Sequence, residues 1–192
     1  MAQSPHERET AESDTAHRRL LGIIKEKSLL EGKDFILASG QSSSYFFDMK
    51  KTMMDPEGSN LIASAILELL EGDTVDAIGG QEVGAIPIVS VVCAKSFLAG
   101  NPVPAFFVRK KAKGHGTDKL IDGNLESGMH VVLVEDVTTT GGSVMNAVNA
   151  VRGANCTVDK IITVVDRQAG AAENLKKHGL TLVSLHTSSD FA

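Results

Sequence analysis

Two largely apolar runs that do not alternate with polar residues constrain the fold of this chain more than any other feature. They are VVLV at 131–134 and IITVV at 161–165. A strand with one face in water alternates apolar and polar residues, whereas a strand covered on both faces is apolar throughout. The runs therefore predict an α/β fold with a mostly parallel central sheet flanked by helices. Strands are predicted at 75–78, 105–108, 131–135, 158–165 and 181–185, and helices at 84–98, 143–152 and 171–177.

The first part of the chain has a different pattern. Residues 1–15 are polar and are predicted to form a flexible N-terminal tail, because they carry too few apolar groups to offset the entropy of ordering. We interpret the region from 16 to about 54 as a small hood. Its predicted elements are a helix at 16–27 and two β-like runs at 34–38 and 45–49 around the polar segment 39–44.

Residues from about 55 to 192 are predicted to form the core of one domain that spans 16–192. Asp55 and Pro56 begin a helix that runs to about residue 70, because proline is favoured in the first helical turn. The segment 110–126 is polar, contains three glycines and has no helical or strand period. A loop of that length in a compact domain is usually functional or disordered.

Composition excludes several classes of function. The chain has 19 Lys and Arg against 24 Asp and Glu, a net charge of −5, which argues against non-specific nucleic-acid binding. The two cysteines, Cys93 and Cys156, have no metal-ligand spacing and indicate a reducing compartment. No apolar run reaches the length of a membrane span, and the polar N-terminus does not have the pattern of a secretory signal. We therefore expect a cytoplasmic protein with no membrane partner.

The junction at 131–143, VVLVEDVTTTGGS, carries the strongest chemical signal. A buried strand ends in two carboxylates, and a turn rich in hydroxyls and glycine then enters a helix. Unpaired backbone N–H groups, hydroxyl groups and the positive end of a helix dipole together form a phosphate-binding site. The chain has no Walker A motif and no G-x-G-x-x-G after a strand, so neither a P-loop nor a dinucleotide site is supported.

This junction resembles the phosphoribosyl pyrophosphate (PRPP) loop of type I phosphoribosyltransferases, and its TTTGGS form is similar to that of the orotate phosphoribosyltransferases. The resemblance implies the type I phosphoribosyltransferase fold. It also implies that Glu135 and Asp136 hold the ribose hydroxyls and that the turn holds the 5′-phosphate. The residues that it implies for PRPP binding are Glu135, Asp136, Val137, Thr138, Thr139, Thr140, Gly141, Gly142 and Ser143.

The segment VRKKAKGHG at 108–116 resembles the mobile catalytic loop of the same family. A run of charges is often only a solvated surface, but several cations and a histidine also suit a pyrophosphate leaving group. The resemblance implies a mobile loop at about 109–126 that acts on the partner's site in a homodimer. Its implied catalytic residues are Arg109, Lys110, Lys113 and His115.

Two further segments are similar to the parts of this family that bind orotate. SGQSSSYFFD at 39–48 resembles the segment that covers the orotate ring, and flat aromatic rings stack well on a pyrimidine. VVDR at 164–167 ends a strand where the family has an arginine for the orotate carboxylate, a group that arginine binds through two parallel hydrogen bonds. The implied orotate-binding residues are Arg167, the backbone near Phe46 and Phe47, and Thr139.

A fourth segment, IGGQEVGAIP at 78–87, resembles the pyrophosphate-binding loop, with Gly80, Gln81, Glu82 and Val83 at its centre. Small residues there let backbone N–H groups approach a ligand. The chain departs from the pattern of some members at three positions. Ala38 and Val83 stand where those members have lysine, and Lys111 stands where glutamate is common.

The resemblance implies that the chain converts orotate and PRPP to orotidine 5′-monophosphate and pyrophosphate. Mg²⁺ is the implied cofactor, bound mainly through PRPP oxygens and waters rather than by direct protein ligands, as suits an ion that dehydrates reluctantly. Two alternatives remain open from the residues. One is a type I phosphoribosyltransferase for a purine or another pyrimidine, and the other is a regulator that binds nucleotides or RNA through the same fold.

Overall fold

The computed structural model describes residues 5–36, 40, 42–111 and 120–192, and it describes side chains from residue 13 onward. The predicted α/β architecture is confirmed. In chain order the elements are α1 (Pro5–Lys27), β1 (Leu29–Ile36), β2 (Ser42–Phe47), α2 (Lys50–Met53), α3 (Pro56–Leu69), β3 (Ala77–Gly79), α4 (Ala85–Leu98), β4 (Phe106–Val108), β5 (Ile121–Gly123), β6 (His130–Thr138), α5 (Gly142–Gly153), β7 (Thr157–Asp166), α6 (Ala171–Lys176), β8 (Thr181–Thr187) and a 3₁₀ turn (Ser188–Phe191).

The central sheet is parallel and has the order β3-β6-β7-β8. Strand β4 runs alongside β3 at its outer edge, where the Val108 N–H donates to the Gly80 carbonyl at 2.8 Å. Because all of these strands point the same way, their carboxyl ends meet at one edge of the sheet. Open α/β sheets bind ligands at that edge.

The unbroken apolar run of β6 reflects burial on both faces. Val131 and Leu133 pack with α5 and α6, whereas Val132 and Val134 pack on the opposite face, against a core built from α1, α3, α4 and the hood. All four side chains are at most 1% exposed. Successive residues of a strand point to opposite faces, so only a strand between two apolar layers has no polar position.

The hood is an antiparallel hairpin, as predicted, but its strands are displaced from the predicted ones. β1 pairs with β2 from Leu29 opposite Phe47 to Ile36 opposite Ser42. The predicted strand at 34–38 begins earlier, at Leu29, and Ser42 and Ser44 belong to β2 rather than to the loop. A run of serines gives no alternating apolar signal, which explains the earlier start of β2. Residues 37–39 and 41 of the predicted strand and loop lie outside the described residues.

Three further elements differ from the sequence prediction. Helix α1 begins at Pro5 rather than near residue 16, because the earlier turns contain good helix formers but no apolar period. The short helix α2 was not predicted. Strand β5 lies inside the predicted structureless loop, where Ile121 pairs with Val108 and Gly123 with Phe106.

None of the helices in the described part of the chain is long and apolar enough to cross a lipid bilayer.

Candidate active site

The turn between β6 and α5 is tight and is held by contacts with α6. Gly141 has a φ of +83°, which a residue with a side chain rarely adopts, and a Cβ there would lie 3.2 Å from Leu175 Cγ. The Asn174 side chain donates to the Thr140 carbonyl at 3.1 Å. Because Gly141 has no side chain to cap α5, the first N–H groups of that helix remain available for an anion.

Two adjacent carboxylates precede this turn, and they occupy different environments. Glu135 is 6% exposed and accepts from the Ser143 hydroxyl at 3.3 Å, whereas Asp136 is half-buried and accepts from the Val137 N–H at 2.9 Å. Burial, and then repulsion by the Asp136 charge, raise the pKa of Glu135 to about 8. At neutral pH Glu135 is therefore mainly protonated.

The loop after β3 passes directly under these carboxylates. A Cβ on Gly84 would lie 2.6 Å from Asp136 Oδ1 and 3.0 Å from Glu135 Oε1, and a Cβ on Gly80 would lie 2.3 Å from the Val134 carbonyl oxygen. Only glycine therefore fits at either position without a shift of its neighbours. The peptide bond between Glu82 and Val83 in this loop is cis.

The side chains of the same loop differ in their exposure to solvent. Gln81 is 6% exposed, and its Oε1 has no hydrogen-bond partner among the residues that the structure describes. Val83 is 59% exposed, so the position where some family members have a lysine faces solvent here. Glu82 accepts from the Lys110 N–H at 3.0 Å, which attaches the loop to the segment after β4.

The first residues of the predicted catalytic loop are anchored. Arg109 Nε donates to Asp122 Oδ2 at 2.6 Å, and Arg109 Nη1 lies 3.9 Å from Glu82 Oε2. The Arg109 guanidinium is therefore paired with two carboxylates in this structure, whereas the Lys110 side chain is exposed. Lys113 and His115 lie outside the described residues.

Arg167, directly after β7, connects the phosphate turn with the hood. Its N–H donates to the Thr138 carbonyl at 2.9 Å, and its Nη2 donates to Ser43 Oγ at 2.7 Å. The guanidinium lies over the Tyr45 ring, 4.3 Å from the centroid. Segments that are more than a hundred residues apart in the chain thus meet at one place.

The two phenylalanines predicted to bind orotate differ in their surroundings. The Phe47 ring is 4% exposed and packs edge-to-face on Tyr45 and Phe191, with ring centroids 5.6 and 4.9 Å apart. The Phe47 ring therefore belongs to the core and does not stack on a ligand, and its backbone is the part that the prediction assigns to orotate. The Phe46 ring is half-buried and stacks on Phe35 at 5.6 Å.

Comparison with known proteins agrees with this arrangement. Residues 55–187 match the phosphoribosyl transferase domain family. An orotate phosphoribosyltransferase of Bradyrhizobium sp. (strain ORS 278) is 45% identical over 177 residues, covering 90% of this chain and 95% of that protein. The chain belongs to the orotate phosphoribosyltransferase family. Its members are pentosyltransferases, and the sequence resemblance is thereby confirmed.

Solved orotate phosphoribosyltransferases share the fold. The Mycobacterium tuberculosis H37Rv enzyme in complex with Fe(III) dicitrate superposes with a TM-score of 0.81 at 33% identity, covering 92% of this chain and 99% of that one. The same enzyme in complex with PRPP superposes with a TM-score of 0.75 at 29% identity, covering 93% of this chain and 92% of that one. This confirms the predicted type I phosphoribosyltransferase fold.

The site motifs were predicted from the sequence, but several residues that contact them were not named. Gly84, Asp122, Ser43 and Tyr45 each contact a predicted site residue. Ser43 and Tyr45 stand two apart on β2, a spacing that places side chains on one face of a strand. That spacing is the signal by which these two residues could have been found.

Proposed function

We propose that this chain transfers the 5-phosphoribosyl group from PRPP to orotate, which yields orotidine 5′-monophosphate and pyrophosphate. The observation that carries this proposal is the contact of Arg167 with both the Thr138 carbonyl and the hood strand. It supports the proposal because Arg167 is the residue implied for the orotate carboxylate and Thr138 is one of those implied for PRPP. The product would be the first pyrimidine nucleotide of de novo UMP synthesis, made in the cytoplasm.

The 5′-phosphate is assigned to the turn from Thr138 to Ser143, where backbone N–H groups and hydroxyls converge on the N-terminus of α5. Thr138 is 2% exposed, and its hydroxyl has no hydrogen-bond partner among the described residues. The Ser143 hydroxyl already donates to Glu135, so it links the phosphate site to the carboxylates. A dianionic phosphate is favoured there because the helix dipole adds to the N–H groups.

The ribose hydroxyls are assigned to Glu135 and Asp136. A protonated Glu135 can donate one hydrogen bond, whereas an ionised Asp136 can only accept. The pair therefore suits two vicinal hydroxyls, each of which both donates and accepts. Gly84 packs against both carboxylates, so the loop that follows β3 lies next to them.

Mg²⁺ would be held mainly by PRPP oxygens and water molecules rather than by direct protein ligands. In the described part of the chain, no group of three or more His, Cys, Asp or Glu side chains is arranged to hold a metal ion. A site with so few protein ligands fits an ion that keeps its waters and uses substrate oxygens. When bound, Mg²⁺ would neutralise part of the diphosphate charge.

In the proposed reaction the bond from C1 of the ribose to the pyrophosphate oxygen breaks, and N1 of the orotate anion forms a new bond to C1 from the opposite face. Catalysis is then mainly positioning and charge stabilisation. Lys110, Lys113, His115 and Arg109 are assigned to the departing pyrophosphate, with the loop supplied by the partner of a homodimer. Closure of that loop would exclude water, the competing nucleophile.

Mixing the protein with Mg²⁺, PRPP and orotate and following the loss of orotate absorbance tests the proposal. We expect turnover that stops when any one component is omitted. Turnover of adenine, hypoxanthine or uracil but not of orotate would replace the proposal with a different phosphoribosyltransferase. An RNA gel shift at physiological salt without turnover would favour the regulator instead.

The assignment of the loop is tested by Lys113→Ala. We expect kcat to fall by about two orders of magnitude or more, because a cation that neutralises the leaving group is lost, with an unchanged Tm. Lys111→Ala removes the same charge two residues away and serves as the control with near-normal kcat. Equal kcat values for the two variants would contradict the role of Lys113.

A further inference from the structure

The side chain of Arg167 is held by the hood strand through several contacts. Nη2 donates to Ser43 Oγ at 2.7 Å, and the Tyr45 carbonyl accepts from Nη1 and Nη2 at 3.4 and 3.5 Å. The guanidinium also lies over the Tyr45 ring, with Cζ 4.3 Å from the ring centroid, and 6.0 Å from the centroid of the Phe47 ring. Residues of β2 therefore fix both the position and the orientation of this cation.

The charge of Arg167 is not balanced within the part of the chain that the structure describes. Arg167 is 9% exposed, and none of the ion pairs between described residues includes it. Burial of an unpaired cation is unfavourable unless polar groups or a ligand compensate it. The Tyr45 ring face and carbonyl offer partial negative charge, and an anionic ligand would supply the rest.

Ser43 and Tyr45 form a connected network around this cation. The Ser43 hydroxyl donates to the Tyr45 carbonyl at 2.8 Å, and its oxygen accepts from the Tyr45 N–H at 3.3 Å and from Arg167 Nη2 at 2.7 Å. The Tyr45 ring is itself fixed edge-to-face against the buried Phe47 ring, 5.6 Å away. The orientation of the guanidinium thus depends on a rigid aromatic platform and an oriented hydroxyl, and on no carboxylate of the described chain.

We propose that Tyr45 and Ser43 are positioning residues that pre-orient Arg167 for the carboxylate of the acceptor base. This inference rests on the proposed function, in which Arg167 binds orotate. A carboxylate forms two parallel hydrogen bonds with a guanidinium only when the two groups are coplanar. Residues that orient the guanidinium therefore favour an acceptor base that carries a carboxylate. The Tyr45 ring and carbonyl and the Ser43 hydroxyl hold the guanidinium in this orientation, which leaves its remaining N–H groups for the carboxylate.

Tyr45→Leu removes the ring but retains an apolar side chain and the backbone carbonyl. We expect a rise of roughly tenfold in the KM for orotate, the size of effect that loss of a cation–π contact gives, with the KM for PRPP within about twofold of wild type. Tyr45→Phe retains the ring face and should restore the wild-type KM for orotate. Ser43→Ala should raise the KM for orotate by about threefold, as loss of one modest hydrogen bond does.

Inhibition by uracil, which lacks the carboxylate, separates positioning from a merely structural role. We expect its inhibition constant against orotate to be unchanged in Tyr45→Leu, so that the preference for orotate over uracil falls by the same tenfold. Equal weakening of orotate, uracil and PRPP would overturn the inference, as would an orotate KM within twofold of wild type. If Tyr45→Leu does not fold, the same comparison with Ser43→Ala decides.

Turnover of orotate by the wild-type protein distinguishes a failure of the proposed function from a failure of this inference. A wild type that does not turn over orotate would overturn the proposed function and this inference together. An active wild type with unchanged specificity in the variants would overturn only the positioning role of Tyr45 and Ser43.

Discussion

At the scale of single residues, some of the closest contacts around the site are possible only because a glycine has no side chain. Gly80 lies against the Val134 carbonyl and the Ala85 methyl group, where a Cβ would be 2.3 and 2.4 Å away. Gly22, in the exposed face of α1, has nothing within 4 Å of the same position. Gly80 is therefore required for close packing, whereas Gly22 is not, although the sequence alone does not distinguish them.

Gly80→Ala should lower the Tm, because backbone of β3 or β6 must move to admit the methyl group, at a cost of about 1–3 kcal/mol. Gly22→Ala makes the same chemical change in an open helical position and should raise stability by up to about 1 kcal/mol. Thermal unfolding of both variants measures the difference. Equal Tm changes would show that the close approach of Gly80 to β6 is wrong.

Glu135 makes stability depend on pH in an unusual direction for a carboxylate. Its pKa of about 8 in the folded chain lies above the value for an unfolded chain, so the folded state binds the extra proton between the two values. The free energy of unfolding then falls as pH rises toward 8, by at most about 1.4 kcal/mol per pH unit. Glu135→Gln is neutral throughout and removes this contribution.

Urea unfolding of the wild type and Glu135→Gln at several values between pH 5 and pH 8 tests this expectation. The difference in unfolding free energy between the two proteins should shift in favour of the variant as pH rises, because other titrating groups cancel in the comparison. Parallel pH dependences would mean that Glu135 ionises normally.

At the scale of elements, the start of α3 shows how a local signal is reinforced by tertiary contacts. Asp55 caps the helix by accepting from the N–H groups of Glu57 and Gly58 at 3.1 and 2.9 Å, and Pro56 occupies the first turn. Lys27, at the end of α1, forms an ion pair with the same carboxylate. One aspartate thus begins one helix and attaches the end of another.

Asp55→Ala should lower the Tm by about 2–4 °C, because two N–H groups lose their acceptor. Asp55→Asn keeps an acceptor for the cap but loses the charge that faces Lys27, so its Tm should lie between those of the wild type and Asp55→Ala. Both Tm values come from thermal unfolding followed by circular dichroism. If Asp55→Asn is as unstable as Asp55→Ala, the ion pair rather than the cap stabilises this junction.

At the scale of the whole molecule, the two ends of the parallel sheet have different roles. The candidate site lies at the carboxyl ends of the strands, whereas at the opposite edge His130 connects neighbouring segments by hydrogen bonds. Its two ring nitrogens face the Thr74 carbonyl at 2.9 Å and Asp159 Oδ1 at 3.0 Å, and its N–H donates to Asp76 at 2.7 Å. This residue therefore links β6 to β7 and to the segment before β3.

The Thr74 carbonyl and then Asp159 raise the pKa of His130, because only the protonated ring donates from both nitrogens. Its contribution to stability is fully present below the pKa of an unfolded histidine and is lost as pH rises through the folded value. His130→Ala should therefore be more destabilising at pH 5.5 than at pH 9 in urea unfolding. An equal loss of stability at the two pH values would contradict the role of the protonated ring.

Much of the architecture could be predicted because it depends on near neighbours in the chain. The non-alternating runs of β6 and β7 indicate strands covered on both faces, and the residues from Glu135 to Ser143 carry the chemistry of a phosphate turn. Asp55 and Pro56 mark the start of α3. The placement of Lys113 and His115 near a pyrophosphate remains a prediction.

The amino-acid sequence by itself determined which strands are buried, where the turn that suits phosphate lies and which family the chain resembles, since burial patterns and turn chemistry act over a few residues. Only the tertiary structure decided that Arg167 stacks on Tyr45, that Gly84 lies beneath two carboxylates and that the Phe47 ring belongs to the core. Such contacts join residues separated by long stretches of chain. They depend on strand register and on the close approach of whole elements, which no local pattern encodes.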